Sequence, residues 1–227
     1  MEERILYEDN HLIAVNKLSS EIVQGDITGD EPLSEMVRSL VKRKYNKPGN
    51  VFMGVPHRLD RPTSGLVLFA KTSKALSRLN DLFRNKEVQK VYWAVVKNCP
   101  QSPSGTLVDY LVRNPAKNKS FVAQKDKPGA KYSELDYQVL ARSDRYYLLE
   151  IRPKTGRHHQ IRVQLSNQGW PIKGDLKYGF PRSNKGGSIH LHARRVEFIH
   201  PVKKEPVVIE APVPQESLWQ ALSQSLD

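Results

Sequence analysis

The residues with the clearest capacity for chemistry lie in the run from Val55 to Gly65, which is rich in proline, histidine, arginine and aspartate. Asp60 stands there between Arg58 and Arg61. Nearby cations favour the ionised form of a carboxylate, which makes it available as a nucleophile or a general base. The same residues also fit an ordinary salt bridge inside a loop, so their types and spacing leave both interpretations open.

A second basic cluster lies where a helix is predicted to follow Gly156. Because the first turn of a helix has free backbone N–H groups, this turn and Arg157 together suit a phosphate. Arg162 is predicted to lie one helical turn beyond His158, on a partly apolar face where a guanidinium needs a carboxylate partner, and Asp60 is our candidate. Alternatively, both arginines are solvated charges on an amphipathic helix.

Tyrosine and histidine give two weaker signals. Tyr92 lies in a predicted strand, where a tyrosine usually packs half-buried, although its ring can also stack on a base and its hydroxyl can donate a hydrogen bond. His190 and His192 point to one face of a predicted strand, a spacing that two zinc ligands can use. Since no third ligand follows at a motif spacing, we expect structural histidines, no metal and no cofactor.

The pattern of apolar residues predicts the elements that position these side chains. Strands and helices mix without a regular strand–helix–strand alternation, which favours an α+β fold with a mixed sheet. The residues from Ser102 to Gly129 are predicted to form a mobile basic excursion with room for one hairpin. The other predicted elements are a hairpin from Ile5 to Lys17, helices over Leu33 to Val41, Ala75 to Phe83, after Gly156 through Asn167 and around Leu218-Trp219, and strands over Gly65 to Ala70, Glu87 to Val96, Tyr132 to Leu140, Tyr146 to Arg152, Ser188 to Ile199 and Val207 to Ala211.

The composition of the chain favours a polyanionic partner. Its 227 residues carry a formal net charge of +12 and a sequence pI of about 9.7, which favours nucleic acid first and an acidic membrane surface second. The single cysteine, Cys99, excludes an intramolecular disulfide. The acidic start predicts no signal peptide, and no apolar run approaches the roughly 20 residues that span a bilayer, so we expect a cytoplasmic protein.

Several motifs follow one another in a fixed order between about residues 5 and 214. They are His57-Arg58-Leu59-Asp60-Arg61-Pro62-Thr63-Ser64-Gly65-Leu66, Ala70-Lys71-Thr72, Lys90-x-Tyr92-x-Ala94-x-Val96, Thr155-Gly156-Arg157-x-His159-Gln160-Ile161-Arg162, Gly174-Asp175-x-x-Tyr178-Gly179, His190-Leu191-His192-Ala193 and Phe198-x-His200-Pro201. Together they resemble the signature of the RluA-type family of RNA pseudouridine synthases. One motif is weak by itself, whereas the ordered set is specific.

The resemblance implies a fold, an activity and a set of site residues. The fold is a single catalytic domain over residues 1–227, with a mixed, mostly antiparallel sheet flanked by helices and loops around a central cleft. The activity is the isomerisation of specific uridines in structured ribosomal or transfer RNA, with the base flipped into the cleft. Asp60 is implied as the catalytic aspartate, Tyr92 as the active-site tyrosine and Arg162 as the basic partner of the aspartate. The expected RNA contacts are Arg58, which enters the RNA stack when the base is flipped, and Arg61, Arg157, His158 and Leu191.

Two features depart from the family pattern. Many relatives begin with a small S4-type RNA-binding domain, whereas here the catalytic pattern starts near residue 5, so we expect no separate S4 domain. The usual Lys-Pro-x-Gly near the N-terminus is replaced by Lys17-Leu18-Ser19-Ser20, which leaves the loop up to Gly25 without a family precedent.

Two other classes of function stay open on sequence alone. An RNA-binding or RNA-folding protein without catalytic activity would account for the net charge. A metal-dependent nucleotide hydrolase would use His158, His159, His190 and His192 and would contain bound metal. We expect the partner to be RNA, and we expect a monomer that has no membrane association and no obligate protein partner.

Overall fold

The computed structural model describes residues 1–226, which divide into two compact units. The first unit comprises Met1–Lys90 and Ala193–Pro212, and the second comprises Val91–His192 and residues 213–226. The strands are β1 (Ile5–Glu8), β2 (Leu12–Lys17), β3 (Ser64–Ala70), β4 (Gln89–Val96), β5 (Ser104–Asn114), β6 (Lys119–Ala123), β7 (Lys131–Arg142), β8 (Tyr147–Pro153), β9 (Leu191–Ile199) and β10 (Pro206–Glu210). The helices are α1 (Leu33–Lys44), α2 (Ser73–Arg84), α3 (Gln160–Asn167) and α4 (Ser217–Gln224). None of the helices formed by residues 1–226 is long and apolar enough to cross a bilayer.

The first unit is built on strands in the order β1-β2-β3-β9, with β10 paired to β9. The pairs β1–β2, β2–β3 and β9–β10 are antiparallel. Every residue of β3 is buried, as its continuous apolar run predicts. Helix α2 packs Ala75 and Leu79 into the same core, and the Thr72 hydroxyl caps the helix by accepting the Ala75 N–H at 3.1 Å. Strand β3 is therefore a rigid support for the loop that precedes it.

Gly65 stands where β3 passes close to the backbone of Ala193. Its φ is +111°, and a Cβ at this position would lie 2.4 Å from the Ala193 carbonyl oxygen. Only glycine accepts both this backbone conformation and this close approach. The glycine therefore fixes how the chain leaves the Asp60 loop and enters β3.

The second unit contains strands in the order β4-β8-β7-β5-β6, and each successive pair is antiparallel. Leu165 of α3 belongs to the same apolar cluster as Ala94, whereas Trp219 of α4 clusters with Val95. Because neighbouring residues of a strand point to opposite faces, the two helices cover opposite faces of this sheet. The α+β class and the mostly antiparallel pairing predicted from the sequence are confirmed.

The segment from Ser102 to Gly129 is more regular than predicted. The interpretation as a mobile excursion is wrong for most of it, because β5 pairs with β7 along Ser104 to Leu111 and forms a hairpin with β6. Leu107 and Leu111 point inward between exposed or half-buried neighbours. The many lysines of this segment masked that alternation in the sequence.

Helix α3 also begins later than predicted. His159 precedes it with a φ of +55°, in the left-handed region, and the first helical residue is Gln160. His158 therefore lies before the helix and does not share a helical face with Arg162, which corrects the predicted arrangement. The histidine conformation is the local cause, since a left-handed residue cannot continue an α-helix.

Candidate active site

The loop that carries Asp60 is held by the buried ammonium of Lys17. Its Nζ donates to the carbonyl oxygens of Thr63 (2.6 Å), Leu18 (2.9 Å) and Arg61 (3.0 Å). The Thr63 N–H donates to the Asp60 carbonyl at 3.0 Å, which closes a turn directly after the carboxylate residue. The half-buried Asp60 is thus presented by a loop whose backbone is anchored at Arg61 and Thr63.

Lys17 also affects the electrostatics of this loop. Burial lowers the pKa of its ammonium to about 7, against the attraction of the Glu21 and Asp60 carboxylates, which raises it. The Lys17 ammonium and the Asp60 carboxylate therefore attract each other within this loop. Lys17 therefore acts on Asp60 both through the loop backbone and through its charge.

His57 is a packing residue at the start of the same loop. Its imidazole stacks on the Phe83 ring, with 4.8 Å between centroids, and its Nε2 accepts the Leu68 N–H at 2.9 Å. Burial, with a smaller contribution from the Lys90 ammonium, lowers the pKa of His57 to about 3. The ring is therefore neutral at physiological pH and fixes the loop to β3 and α2.

The two arginines beside Asp60 have different surroundings. Arg58 is exposed. The Arg61 guanidinium donates to the Asp30 carboxylate (2.6 Å) and the Thr28 hydroxyl (2.7 Å), and it lies 3.6 Å from the Asp26 carboxylate. Arg61 therefore orders the loop over residues 26–30, and its predicted contact with RNA stays a prediction.

Arg162 is buried and forms a two-pronged ion pair with Asp175. Its Nε donates to Oδ2 at 2.7 Å and its Nη2 donates to Oδ1 at 2.9 Å. The guanidinium carbon also lies 5.1 Å from the centroid of the Tyr178 ring. A bidentate pair of this kind fixes the plane of the guanidinium as well as its position. The carboxylate partner that the sequence analysis sought in Asp60 is supplied within the second unit by Asp175, and a pair with Asp60 stays a prediction.

The two histidines before α3, His158 and His159, belong to a polar network that also includes the Tyr178 hydroxyl. Their rings stack with 3.7 Å between centroids. The His158 Nδ1 is 2.9 Å from the Ser120 hydroxyl and its Nε2 is 3.1 Å from the Asn118 side chain. The His159 Nδ1 is 2.9 Å from the Tyr178 hydroxyl, which also accepts the Ser120 N–H at 2.9 Å. The predicted RNA contact His158 therefore links the β5–β6 hairpin to the start of α3.

Arg157 is exposed, as expected of an RNA contact, but it is not placed at a helix N-terminus. Its N–H donates to the Gln160 side-chain oxygen (3.0 Å) and its Nε donates to the Tyr132 carbonyl (3.0 Å). The backbone donor that was predicted to face a phosphate is thus used within the turn. The guanidinium is what remains available for an anion.

Tyr92 and Leu191 occur together in one apolar cluster of the second unit. Tyr92 lies on β4 opposite Ile151, and it is half-buried against the cluster that contains Leu191 and Ile161. This setting agrees with the usual packing of a half-buried tyrosine in a strand. It also forms an apolar wall on the unit that carries Arg162.

His190, one of the candidate metal ligands, packs against an aromatic ring. His190 stacks on Trp219 with 5.2 Å between centroids, and its Nδ1 is 2.8 Å from the Asn184 side chain. Burial, with a smaller effect of Lys173, lowers the pKa of His190 to about 3. Across residues 1–226, no group of three or more histidine, cysteine or acidic side chains is placed to hold a metal ion.

The structure thus places Asp60, Arg58 and Arg61 on one loop of the first unit, and Tyr92, Arg162, Arg157, His158 and Leu191 in the second unit. Sequence reasoning assigned no role to three supporting residues, Lys17, Asp175 and Tyr178. The signal for Lys17 was a lysine at the end of a largely apolar strand, because such a charge must find acceptors when it is buried. Asp175 and Tyr178 were visible only as parts of a motif.

Comparisons with known proteins agree on one family. A family model described as RNA pseudouridylate synthase matches residues 11–167. "Ribosomal large subunit pseudouridine synthase C" of Buchnera aphidicola subsp. Acyrthosiphon pisum (strain APS) is 36% identical over 217 residues, which cover 92% of this chain and 67% of that protein. "tRNA pseudouridine synthase C" of Vibrio cholerae serotype O1 is 30% identical, with 96% of this chain and 93% of that protein covered. The chain spans about two thirds of the length of the first of these relatives.

Solved structures show the same fold. Human RNA Pseudouridylate Synthase Domain Containing 1 superimposes with a TM-score of 0.74 at 27% identity, covering 98% of this chain and 85% of that one. Human RNA Pseudouridylate Synthase Domain Containing 4 gives a TM-score of 0.82 at 24% identity, covering 99% and 93%. The motif resemblance, the family match and the fold lead to one conclusion: this chain is a pseudouridine synthase and belongs to the RNA pseudouridylate synthase family.

Proposed function

We propose that this protein isomerises specific uridines in structured ribosomal or transfer RNA to pseudouridine, with Asp60 as the catalytic carboxylate. The observation that carries the proposal is the anchoring of the Asp60 loop by Lys17, because a reacting carboxylate must be held in place. The relatives named for ribosomal and transfer RNA support the class of substrate.

The proposed reaction breaks the N1–C1′ bond of uridine and rejoins the base through C5. Asp60 either attacks C1′ or removes the proton from C2′ to give a glycal, and either route passes through a centre with oxocarbenium character, as in glycoside hydrolysis. The detached uracil then turns and C5 bonds to C1′, which breaks the Asp60–C1′ bond on the first route or is accompanied by return of the proton to C2′ on the second. The proton on C5 is lost and N1 gains one. Atoms and electrons balance without a cofactor, because the product is an isomer of the substrate.

The other site residues have matching roles in this proposal. Arg162 serves as the basic residue of the site, and Asp175 fixes the plane of its guanidinium. Tyr92 stacks on the uracil and Leu191 closes the apolar wall, which keeps water from the open sugar. The base is flipped out of the folded RNA at a cost of a few kcal/mol, and Arg58 enters the space that it leaves.

The test uses Asp60→Asn, which removes the carboxylate charge and keeps the shape of the side chain. Ribosomal and transfer RNA transcribed in vitro are incubated with each protein, and pseudouridine is measured by mass spectrometry. We expect turnover to fall at least 1,000-fold while RNA affinity stays within about threefold, because Asp60 acts on the reacting atoms (roughly 4 kcal/mol of barrier). Asp26→Asn, on the exposed neighbouring loop, is the control. Undiminished turnover in Asp60→Asn would disprove the role of Asp60.

The same preparation separates this proposal from an RNA-binding protein without catalytic activity. Such a protein binds the transcripts but forms no pseudouridine in any of them, with or without Asp60. We further propose that the protein acts in the cytoplasm as a monomer without an obligate protein partner. Light scattering of the purified chain that gave twice the mass of 25.9 kDa would refute the monomer.

A further inference from the structure

One face of the sheet in the second unit carries aromatic rings on three adjacent strands, of which Phe121 and Tyr132 are exposed and Tyr110 is half-buried. Directly opposed residues of an antiparallel pair share a face, as do residues two apart along a strand. Tyr110 of β5 is opposite Tyr132 of β7, and Val112 of β5 is opposite Phe121 of β6. These residues, together with Val108, therefore form one surface, which we call the aromatic face.

The aromatic face is open, whereas α3 covers the reverse face along β5. Phe121 is 39% exposed, Tyr132 is 41% exposed and Val108 is 52% exposed. On the reverse side, Gln164 of α3 donates to the Leu107 carbonyl at 3.3 Å and to Asp109 at 2.8 Å. Exposed rings usually cost solvation free energy, so a surface that displays them on regular strands calls for a partner.

The rings are arranged as separate stacking surfaces. Tyr110 and Tyr132 meet edge to face, with 5.8 Å between centroids and an interplanar angle of 74°. Phe121 lies two strands from Tyr132, roughly 10 Å away at the usual strand spacing. Flat rings at such intervals on a sheet are the arrangement on which single-stranded nucleic acids stack successive bases.

The charges around the aromatic face select the class of partner. The Lys119 ammonium lies 5.5 Å from the centroid of Phe121, and Arg157 donates to the Tyr132 carbonyl. The two acidic residues of β7 on this face are already paired. The Glu134 carboxylate accepts Tyr132 Oη–H at 2.6 Å and Lys154 Nζ–H at 2.8 Å, and the Asp136 carboxylate accepts the Thr106 hydroxyl at 2.6 Å and lies 3.0 Å from Lys154 Nζ. Further lysines lie in the flanking turns, at Lys117, Lys125 and Lys127. Lysine is depleted at protein–protein interfaces, so the positive side chains around the aromatic face favour a polyanion as its partner.

We infer that the aromatic face binds an unpaired segment of the RNA substrate, with bases stacked on Phe121 and Tyr132 and phosphates near Lys119 and Arg157. The inference rests on the proposed action on RNA, and it adds a binding surface that is separate from the loop carrying Asp60. It assigns to the β5–β6 hairpin a contact with single-stranded rather than paired RNA, because only unpaired bases offer both faces of their rings.

The test compares rings with aliphatic side chains of similar size. The double variant Phe121→Leu/Tyr132→Leu keeps the apolar area but removes both rings, whereas Phe121→Trp/Tyr132→Phe keeps them. Val122→Ala, on the reverse side of β6, is the matched control. The probe is a fluorescein-labelled, unstructured 12-nucleotide RNA, and its affinity is measured by fluorescence anisotropy between 50 and 300 mM salt.

We expect the leucine variant to bind the 12-mer at least tenfold more weakly, with an unchanged slope of log affinity against log salt. The slope is unchanged because stacking releases no counterions. The ring-retaining variant and Val122→Ala should bind within about twofold of the parent. Thermal unfolding by circular dichroism verifies that each variant is folded, and a misfolded leucine variant is replaced by the single variant Phe121→Leu, for which we expect at least a threefold loss.

Three outcomes would overturn the inference. They are an unchanged affinity of the leucine variant, a loss that depends on salt alone, and a wild-type dimer that the leucine variant abolishes, which would make the face an interface between copies of the chain. Failure of the proposed function looks different: the wild type would form no pseudouridine in any transcript, although the rings would still determine affinity for the 12-mer.

Discussion

The Arg162 guanidinium owes its orientation to the Asp175 carboxylate. Both side chains are buried, so replacing the carboxylate by an amide weakens the compensation of a buried positive charge. We predict that Asp175→Asn lowers the free energy of unfolding by about 3 kcal/mol and lowers turnover at least tenfold. Urea denaturation and the pseudouridine assay measure the two effects.

The control for Asp175 is an exposed ion pair of the same type. Asp81 lies 3.0 Å from Arg84 on the surface of α2, where such pairs contribute little. Asp81→Asn should change the unfolding free energy by less than about 0.5 kcal/mol and leave turnover unchanged. If Asp175→Asn behaved like this control, Asp175 would not be the residue that positions Arg162.

His57 makes stability depend on pH in a defined window. Its pKa is lowered to about 3 in the folded state, chiefly by burial, whereas an unfolded histidine titrates near 6.5. The unfolded state therefore binds the extra proton first, and stability is lost as pH falls from about 6.5 toward 3. We predict that this loss is shallower in His57→Gln than in the wild type, by at most about 1.4 kcal/mol per pH unit.

Urea denaturation at pH 7, 6, 5 and 4 measures that difference in slope. Burial also lowers the pKa of His190, so the variant keeps part of the pH dependence. The control is His11→Gln, a replacement of the same kind at another position of the first unit, measured by the same denaturation series. Parallel stability curves for the wild type and His57→Gln would show that His57 is not a source of the acid sensitivity.

Strand β3 depends on Gly65 at its start. A methyl group there meets the Ala193 backbone at 2.4 Å, and the φ of +111° is strained for any L residue with a side chain. We predict that Gly65→Ala lowers the free energy of unfolding by at least about 3 kcal/mol. The cost of moving β3 and β9 apart adds to the cost of the strained backbone at residue 65. Gly29→Ala, with a φ of +77° but open space around it, should cost only about 1 kcal/mol.

Thermal unfolding and soluble yield measure the two glycine variants. A Gly65→Ala variant that fails to fold agrees with the prediction, provided that Gly29→Ala folds under the same conditions. A melting temperature of Gly65→Ala within about 2 °C of the wild type would contradict the close approach of the backbones.

The elements that apolar periodicity defines well were predicted closely. The hairpin of β1 and β2, the buried strand β3 and the helices α1, α2 and α4 all occur where the pattern places them. Each has a regular stripe or run of apolar residues that needs no knowledge of distant contacts. The true start of α3 and the pairing of β5 with β7 were missed, since the left-handed His159 and that pairing depend on tertiary contacts.

The candidate site was less predictable from the sequence than the helices and strands. The reactive residue types were visible in the sequence, but residue types and spacing alone left Asp60 as either a salt bridge or a reacting group. Lys17 supports the Asp60 loop by hydrogen bonds to residues that lie 44 and 46 positions further along the chain. The partner of Arg162 lies 13 residues away in an irregular segment. Such pairings follow from the fold and have no local periodic signal.

The net charge of the whole chain governs its encounter with RNA. With +12 spread over 227 residues, affinity for RNA should fall steeply with salt, by about 0.7 to 0.9 in logarithmic slope for each phosphate neutralised. We predict that Lys125→Ala/Lys127→Ala, in the turn after β6, reduces this slope by about 1.5 and leaves turnover at saturating RNA unchanged. Filter binding of transcribed ribosomal RNA at several salt concentrations measures the slope.

The same loss of charge elsewhere provides the control. Lys42 and Lys47 are exposed in the first unit, at the end of α1 and just after it. Lys42→Ala/Lys47→Ala should leave the salt slope nearly unchanged, because those lysines lie outside the β5–β6 hairpin. Equal effects of the two pairs would show that net charge, and not the hairpin, determines RNA affinity.

The three hydrogen bonds that Lys17 donates also allow the opening of the Asp60 loop to be measured without any substrate. An amine with a pKa of about 7 is largely unprotonated in mildly alkaline solution, yet this one is fully enclosed and cannot meet a reagent while its three carbonyl partners are in place. Acylation of Lys17 therefore requires the loop to open first. Its labelling rate, relative to that of a surface lysine, measures the free energy of that local opening.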